Sequence, residues 1–108
     1  MSINKATLLG HVCQDPKVVQ YEKGKVAYMN LATNEKGYTT KEGHIVLDSV
    51  EYHRLVVSRP GLVELIEKYV KKGSKLYVEG KIKSHDIFDE HQNLIKEYEI
   101  KVDVVELC

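Results

Sequence analysis

Tryptophan is missing from this chain, phenylalanine occurs once, and cysteine, methionine and proline occur twice each in 108 residues. Cys13 and Cys108 do not make a disulfide framework, so a reducing compartment is the simpler reading. No apolar run approaches the ~20 residues that span a bilayer, and no membrane partner is expected. Met1–Asn4 is too short and too polar for a signal peptide, so no targeting segment is expected. Nor is there an excess of either charge: 16 Lys+Arg meet 16 Asp+Glu, which by itself argues against a nucleic-acid binder. What remains is an ordinary globular composition, 43% hydrophobic and 30% charged, of the size of one domain over residues 1–108.

The neutral total hides a segregation. Between Arg54 and Lys83 eight basic residues (Arg54, Arg59, Lys68, Lys71, Lys72, Lys75, Lys81, Lys83) face three acids, for a net of +5. From Ser84 to Cys108, Lys96 and Lys101 stand against seven acids, for a net of −5. A neutral chain can carry a basic face if folding gathers those residues on one side.

The apolar pattern is mostly that of strands. Lys5–Val12 reads as a strand in which Gly10 marks a bulge or a close backbone approach. Val18–Tyr21 leads through Glu22-Lys23-Gly24-Lys25 into Val26–Thr33, a hairpin with Ala27, Met29 and Leu31 on one face. Asn34–Gly43 reads as a long polar loop, and Val50–Val57 resumes the extended pattern. Leu62, Leu65, Ile66 and Tyr69 then fall at helical spacing. Lys68, Lys71 and Lys72 belong to the last turn of that helix, with Gly73 as its stop. Lys75–Lys83 is a strand, Asp89–Asn93 a turn, and the final strand alternates Tyr98, Ile100, Val102 and Val104 against Glu97, Glu99, Lys101 and Asp103. Strands, one short helix before the fourth barrel strand and a closing hairpin predict an all-β fold with one helix, the five-stranded Greek-key barrel of the OB type. A ferredoxin-like fold needs a second helix, and an immunoglobulin-type sandwich needs more strands and none.

Several stretches resemble the single-stranded DNA-binding proteins of bacteria and mitochondria. They are Asn4-Lys5 with Leu8-Leu9-Gly10, Gln14-Asp15-Pro16, Leu31-Ala32-Thr33, Tyr52-His53-Arg54, Tyr69-Val70-Lys71-Lys72-Gly73-Ser74 and Leu76-Tyr77-Val78-Glu79-Gly80-Lys81, in order along almost the whole chain. Arg59-Pro60-Gly61-Leu62 and Leu31-Ala32-Thr33-Asn34-Glu35 lean toward the mitochondrial branch. The resemblance implies an OB barrel, a homotetramer, sequence-tolerant binding of single-stranded DNA during replication, and no catalytic role. It further implies a replication helicase and polymerase as partners, and a mitochondrial location with the bacterial cytoplasm as the alternative. The chain stops at Cys108 just after the last strand, without the acidic tail that bacterial members carry.

The same resemblance assigns residues. Single-strand binders combine a cationic groove with rings on which bases stack. Tyr38 and Tyr52 fall where the family has tryptophan. The family's ring before the helix is lost among Ser58, Arg59 and Pro60, where the Arg59 guanidinium is a partial replacement. The hairpin ring aligns with Ile87, so Phe88 substitutes only if the register or the turn shifts by one. Lys5, Arg54, Lys72, Lys81 and Lys83 match the family's basic positions, with Arg59 added. His53, on the other face from Tyr52, is implied at a subunit interface. Tyr28, Tyr69, Tyr77 and Tyr98 are expected to pack against the barrel or a neighbouring subunit, and the acids after Lys83 to face away from DNA or toward a neighbouring subunit.

Other chemistry has little support. His11 with Cys13, and His85 with Asp86 and His91, complete no zinc set, so no metal and no cofactor are expected. Cys13 lacks a motif that would orient a base against it. No glycine loop is built to cradle a nucleotide. Two rivals share the barrel: an adaptor that works through protein contacts, and a dimeric primosome component.

Overall fold

The computed structural model describes residues 1–108. Five long strands close the barrel: β1 (Ala6–Val12), β3 (Gly24–Glu35), β6 (Ser49–Val57), β7 (Lys75–Phe88) and β8 (Leu94–Leu107). Around the ring they run β1–β3–β6–β8–β7 and back to β1, and only β6 and β8 are parallel. Strand β2 (Lys17–Tyr21) pairs with β3 as the expected hairpin. Helix α1 (Pro60–Tyr69) lies between β6 and β7, so order and connectivity are those of the OB barrel.

Closure depends on two glycines. β1 pairs with β7 from Ala6 to His11 and turns onto β3 at His11 and Val12. At that corner a Cβ on Gly10 would stand 2.2 Å from the Ala32 carbonyl oxygen, so only glycine permits the approach. Gly80 faces β8 in the same way, 2.3 Å from the Lys101 oxygen. A bulge lies beside it: Glu79 faces Val104 while Gly80 faces Val102, leaving Asp103 as the extra residue.

That bulge corrects the reading of the last strand. Ile100 and Val102 point inward as expected, but the phase then flips, so Val105 rather than Val104 enters the core. Tyr98 is exposed for a different reason, because β7 and β8 run on past the barrel as a projecting arm. Asp89 holds the tip of that arm: its carboxylate accepts from the His91 and Asn93 amides at 2.9 and 2.8 Å. Gln92 supplies the left-handed turn residue, with φ of 65°.

The interior is apolar throughout. Leu31, Leu55, Leu76 and Val78 from the strands meet Val63, Ile66 and Val70 from the helical segment in one cluster. The helix is shorter than its sequence implied and turned slightly. It ends at Tyr69, so Lys68 alone of the three lysines lies in its last turn, and Gly73 belongs to the turn that follows. Tyr69 points to solvent, while Val63 and Ile66 bury. Within the segment read as a loop, β4 (Tyr38–Thr39) pairs with β5 (Ile45–Val46), just beyond it, as a small ribbon. Ribbon and arm leave the barrel at the end opposite α1, and the radius of gyration is 16.5 Å against the ~13 Å of a compact domain this size.

Replacing Gly10 by alanine forces backbone against backbone and should cost ~2–3 kcal/mol. Gly61→Ala meets open space in the first helical turn and should be neutral or stabilising by up to ~1 kcal/mol. Urea unfolding of both variants measures the contrast, and equal midpoints would contradict it.

Candidate nucleic-acid interface

Strand alternation sorts the Tyr52-His53-Arg54 triplet onto two faces. His53 and Leu55 point toward the barrel, and Tyr52 and Arg54 point out. The His53 ring is half-buried and shares a 2.9 Å hydrogen bond with the Thr33 hydroxyl. Tyr52 is 69% exposed, beside a crevice of about 220 Å³ that opens where β6 and β8 diverge. Tyr98, Ile82 and Ile100 line the same crevice.

Arg54 stands at the centre of the outer face. Its guanidinium lies 5.9 Å over the Tyr28 ring, whose hydroxyl meets that of Tyr21 at 3.0 Å. That hydrogen bond, with burial adding to it, holds the Tyr28 phenol above the usual tyrosine range. Across the divide, Arg54 Nε is 3.8 Å from Glu99 and a terminal nitrogen is 3.9 Å from Glu97. The His85 ring approaches the same two carboxylates, with Nε2 3.2 Å from Glu97 and Nδ1 3.4 Å from Glu99.

The expected cations therefore divide. Arg54, Lys81 and Lys83 share the outer face of β6 and β7, where Lys81 lies across from Lys101 and Lys83 across from Glu99. Arg59 and Lys72 sit at the two ends of the helical segment. The Arg59 side chain donates to the Asp103 carbonyl at 3.4 Å, and the Lys72 amide donates to Asp15 at 2.8 Å. Lys5 directly precedes β1, whose Ala6 lies across from Gly80, and its exposed side chain pairs with Glu79 at 3.0 Å, on the same face of β7 as Lys81. The Tyr77 hydroxyl donates to that same carboxylate, and this bond together with Lys5 holds Glu79 below the usual carboxylate range.

Two expectations change here. Glu97 and Glu99 do not face away from the basic residues but stand among them. The condition attached to Phe88 is not met, because pairing from Gly80 to Phe88 is continuous. Ile87 keeps the face of Lys83 and His85, and Phe88 points to the opposite face with Tyr98 and Leu94. Tyr38 is 63% exposed on the ribbon. Tyr21, Tyr28 and Lys101 join the outer face without having been assigned to it. The alternation of β8 marked Lys101 as outward, but nothing local shows that Tyr28 lies against Arg54. No group of three or more His, Cys, Asp or Glu side chains is placed to hold a metal ion, and His85 and Asp86 lie on opposite faces of β7.

The fold and this surface can be set against known proteins. The profile of the single-strand binding protein family matches residues 3–108. The chain belongs to that family. The single-stranded DNA-binding protein of Bacteroides thetaiotaomicron is 42% identical over 108 residues, covering 99% of this chain and 66% of that protein. The mitochondrial single-stranded DNA-binding protein of Oryctolagus cuniculus is 41% identical over 95 residues, covering 83% of this chain and 64% of that protein. The chain thus spans just under two thirds of the length of these curated relatives. Among solved structures, a Plasmodium falciparum SSB in complex with single-stranded DNA superposes with a TM-score of 0.87 at 29% identity, covering 100% of this chain and 96% of that one. Membership in the family and the OB barrel, both read from the motifs, hold.

Glu79 offers a check on the side-chain geometry. Its folded-state acidity is raised by Tyr77 and Lys5, so the stabilisation it contributes is present above the unfolded-state pKa and disappears as pH falls through the lower folded-state value. Tyr77→Phe removes the leading cause, and an NMR titration of the Glu79 carboxyl should show its midpoint move up. An unchanged midpoint would mean that the hydroxyl does not act on this group.

Proposed function

We propose that this chain binds single-stranded DNA with little sequence preference and protects exposed template during DNA replication, working as a homotetramer. The observation that carries the reading is the superposition, over essentially the whole of both chains, on an SSB solved with single-stranded DNA. The outer face adds a mechanism. Tyr52 offers an open ring, Arg54 lies two residues along on the same side, and Lys81, Lys83 and Lys101 continue the positive charge across β7 and β8. A strand crossing this face stacks bases on Tyr52 and on Tyr38 of the ribbon, while its phosphates meet the cations. Duplex is refused because its bases present no free flat surface. Arg59 and Lys72, at the helix end, serve where the strand continues around the molecule. Phe88 serves only a strand that passes behind the arm, and Lys5 only once it leaves Glu79.

Assembly is part of the same reading. His53 lies near an interface between copies, and a replication helicase and polymerase are the partners it implies. For the compartment, the Arg59-Pro60-Gly61-Leu62 stretch favours mitochondria, whereas the Bacteroides relative aligns over more of the chain. Localising the endogenous protein separates these. The adaptor reading draws on one observation, the pair of carboxylates set among the cations.

Fluorescence anisotropy of labelled oligo-dT against matched duplex, at low and moderate salt, tests the proposal. Binding should be tight for the single strand and weak for the duplex. It should fall with salt at a log–log slope of about −0.7 per phosphate. Tyr52→Ala should lose ~1–3 kcal/mol of binding, the worth of one stacked base. Absence of single-strand binding at low salt would favour the adaptor. Light scattering should return a mass near four times the 12.4 kDa protomer.

A further inference from the structure

Arg54 is the cation best placed on the interface, and it is already occupied. Its guanidinium reaches Glu99 at 3.8 Å and Glu97 at 3.9 Å while resting over the Tyr28 ring. From the other side His85 holds the same two carboxylates, and Lys83 lies directly across from Glu99. Two glutamates at i and i+2 on one strand face repel each other. Core packing does not require them, since both side chains lie outside the buried cluster. Arg54 and Lys83 set two fixed positive charges against the two carboxylates, so these four groups together carry no net charge.

A carboxylate and a phosphodiester offer a guanidinium the same acceptors, and the planar fork of arginine suits either. At 3.8 and 3.9 Å the carboxylates hold Arg54 as ion-pair partners without hydrogen-bonding its fork, so an arriving phosphate competes with their electrostatic hold. We propose that Glu97 and Glu99 act as a built-in competitor for the phosphate backbone: they occupy Arg54 in the free protein and must release it before a strand can engage there. This rests on the single-strand reading above and sets its strength. The contact lowers affinity and hides one phosphate site from the salt dependence. It also spares the free protein an exposed cation that would attract any polyanion.

The test compares the wild-type protein with E97Q/E99Q, which keeps side-chain shape and removes the charge. A control, E22Q/E64Q, makes the same change in net charge at exposed positions in the β2–β3 turn and on α1. Both are titrated into labelled oligo-dT at several salt concentrations after circular dichroism has shown them folded. Removing two half-buried ion-pair partners should tighten binding about three- to tenfold at low salt. One further phosphate contact should steepen the log–log salt slope by about 0.7. The control should move affinity much less. In an R54A background the gain from E97Q/E99Q should fall by at least half, because the competed-for group is gone.

Equal affinity and slope for wild type and E97Q/E99Q would overturn the competitor while leaving single-strand binding intact. An equal gain in E22Q/E64Q, or a full gain without Arg54, would overturn it as well by assigning the effect to overall charge. If neither wild type nor E97Q/E99Q binds oligo-dT at low salt, the single-strand reading itself fails and the competitor falls with it.

Discussion

Everything on this molecule depends on one strand serving two neighbours. β1 pairs with β7 along most of its length and with β3 at its end. That double engagement turns a sheet into a barrel. It requires the backbone of β3 to pass where a side chain on residue 10 would stand, so the closure depends on an atom that glycine does not have. Once the ring is closed, inward positions are committed to Leu31, Leu55, Leu76 and Val78, and every second residue faces solvent with a fixed neighbour.

The outer surface inherits its geometry from that commitment. Tyr52 and Arg54 share a side because one residue between them faces inward. Arg54 lies beside β8 because β6 and β8 pair in parallel at Leu55–Ile100 and Val56–Lys101. The result is a surface of rigid strands rather than loops, with its reactive cation held between an aromatic ring and two carboxylates. Affinity on such a surface is a difference between two electrostatic contacts, one internal and one external. The zero net charge of the chain is then a poor guide to what it binds.

Sequence reasoning reached as far as local period reaches. The hairpin of β2 and β3, the inward triad Ala27, Met29 and Leu31, the tight approach at Gly10 and the split of Tyr52 from His53 all follow from alternation and turn chemistry, and the structure has them. The misses are places where a long-range contact decides. Val105 displaces Val104 because a bulge opposite Gly80 inserts Asp103, and no residue near Asp103 announces it. Tyr69 points outward because the helix stops there and Val70 takes the inward place. The carboxylates beside Arg54 were legible as charges, but their neighbours were not. The pairing of β6 with β8 joins segments about 45 residues apart and is fixed only by barrel closure. The added membership of Tyr28 in the surface has the same origin.

The projecting arm carries a further implication. Beyond the barrel, β7 and β8 are open to water on both faces, so burial no longer dictates which residue lies opposite which. Alignment there is kept by the Asp89 carboxylate at the tip and by the contacts of His85 with Glu97 and Glu99 across the pair. The arm behaves as a vernier, its setting read from a few polar contacts rather than from a core. A slip of one notch would exchange Ile87 and Phe88 between front and back, and present an aromatic ring where an aliphatic side chain now stands. The tip turn thereby governs which chemical surface the arm offers.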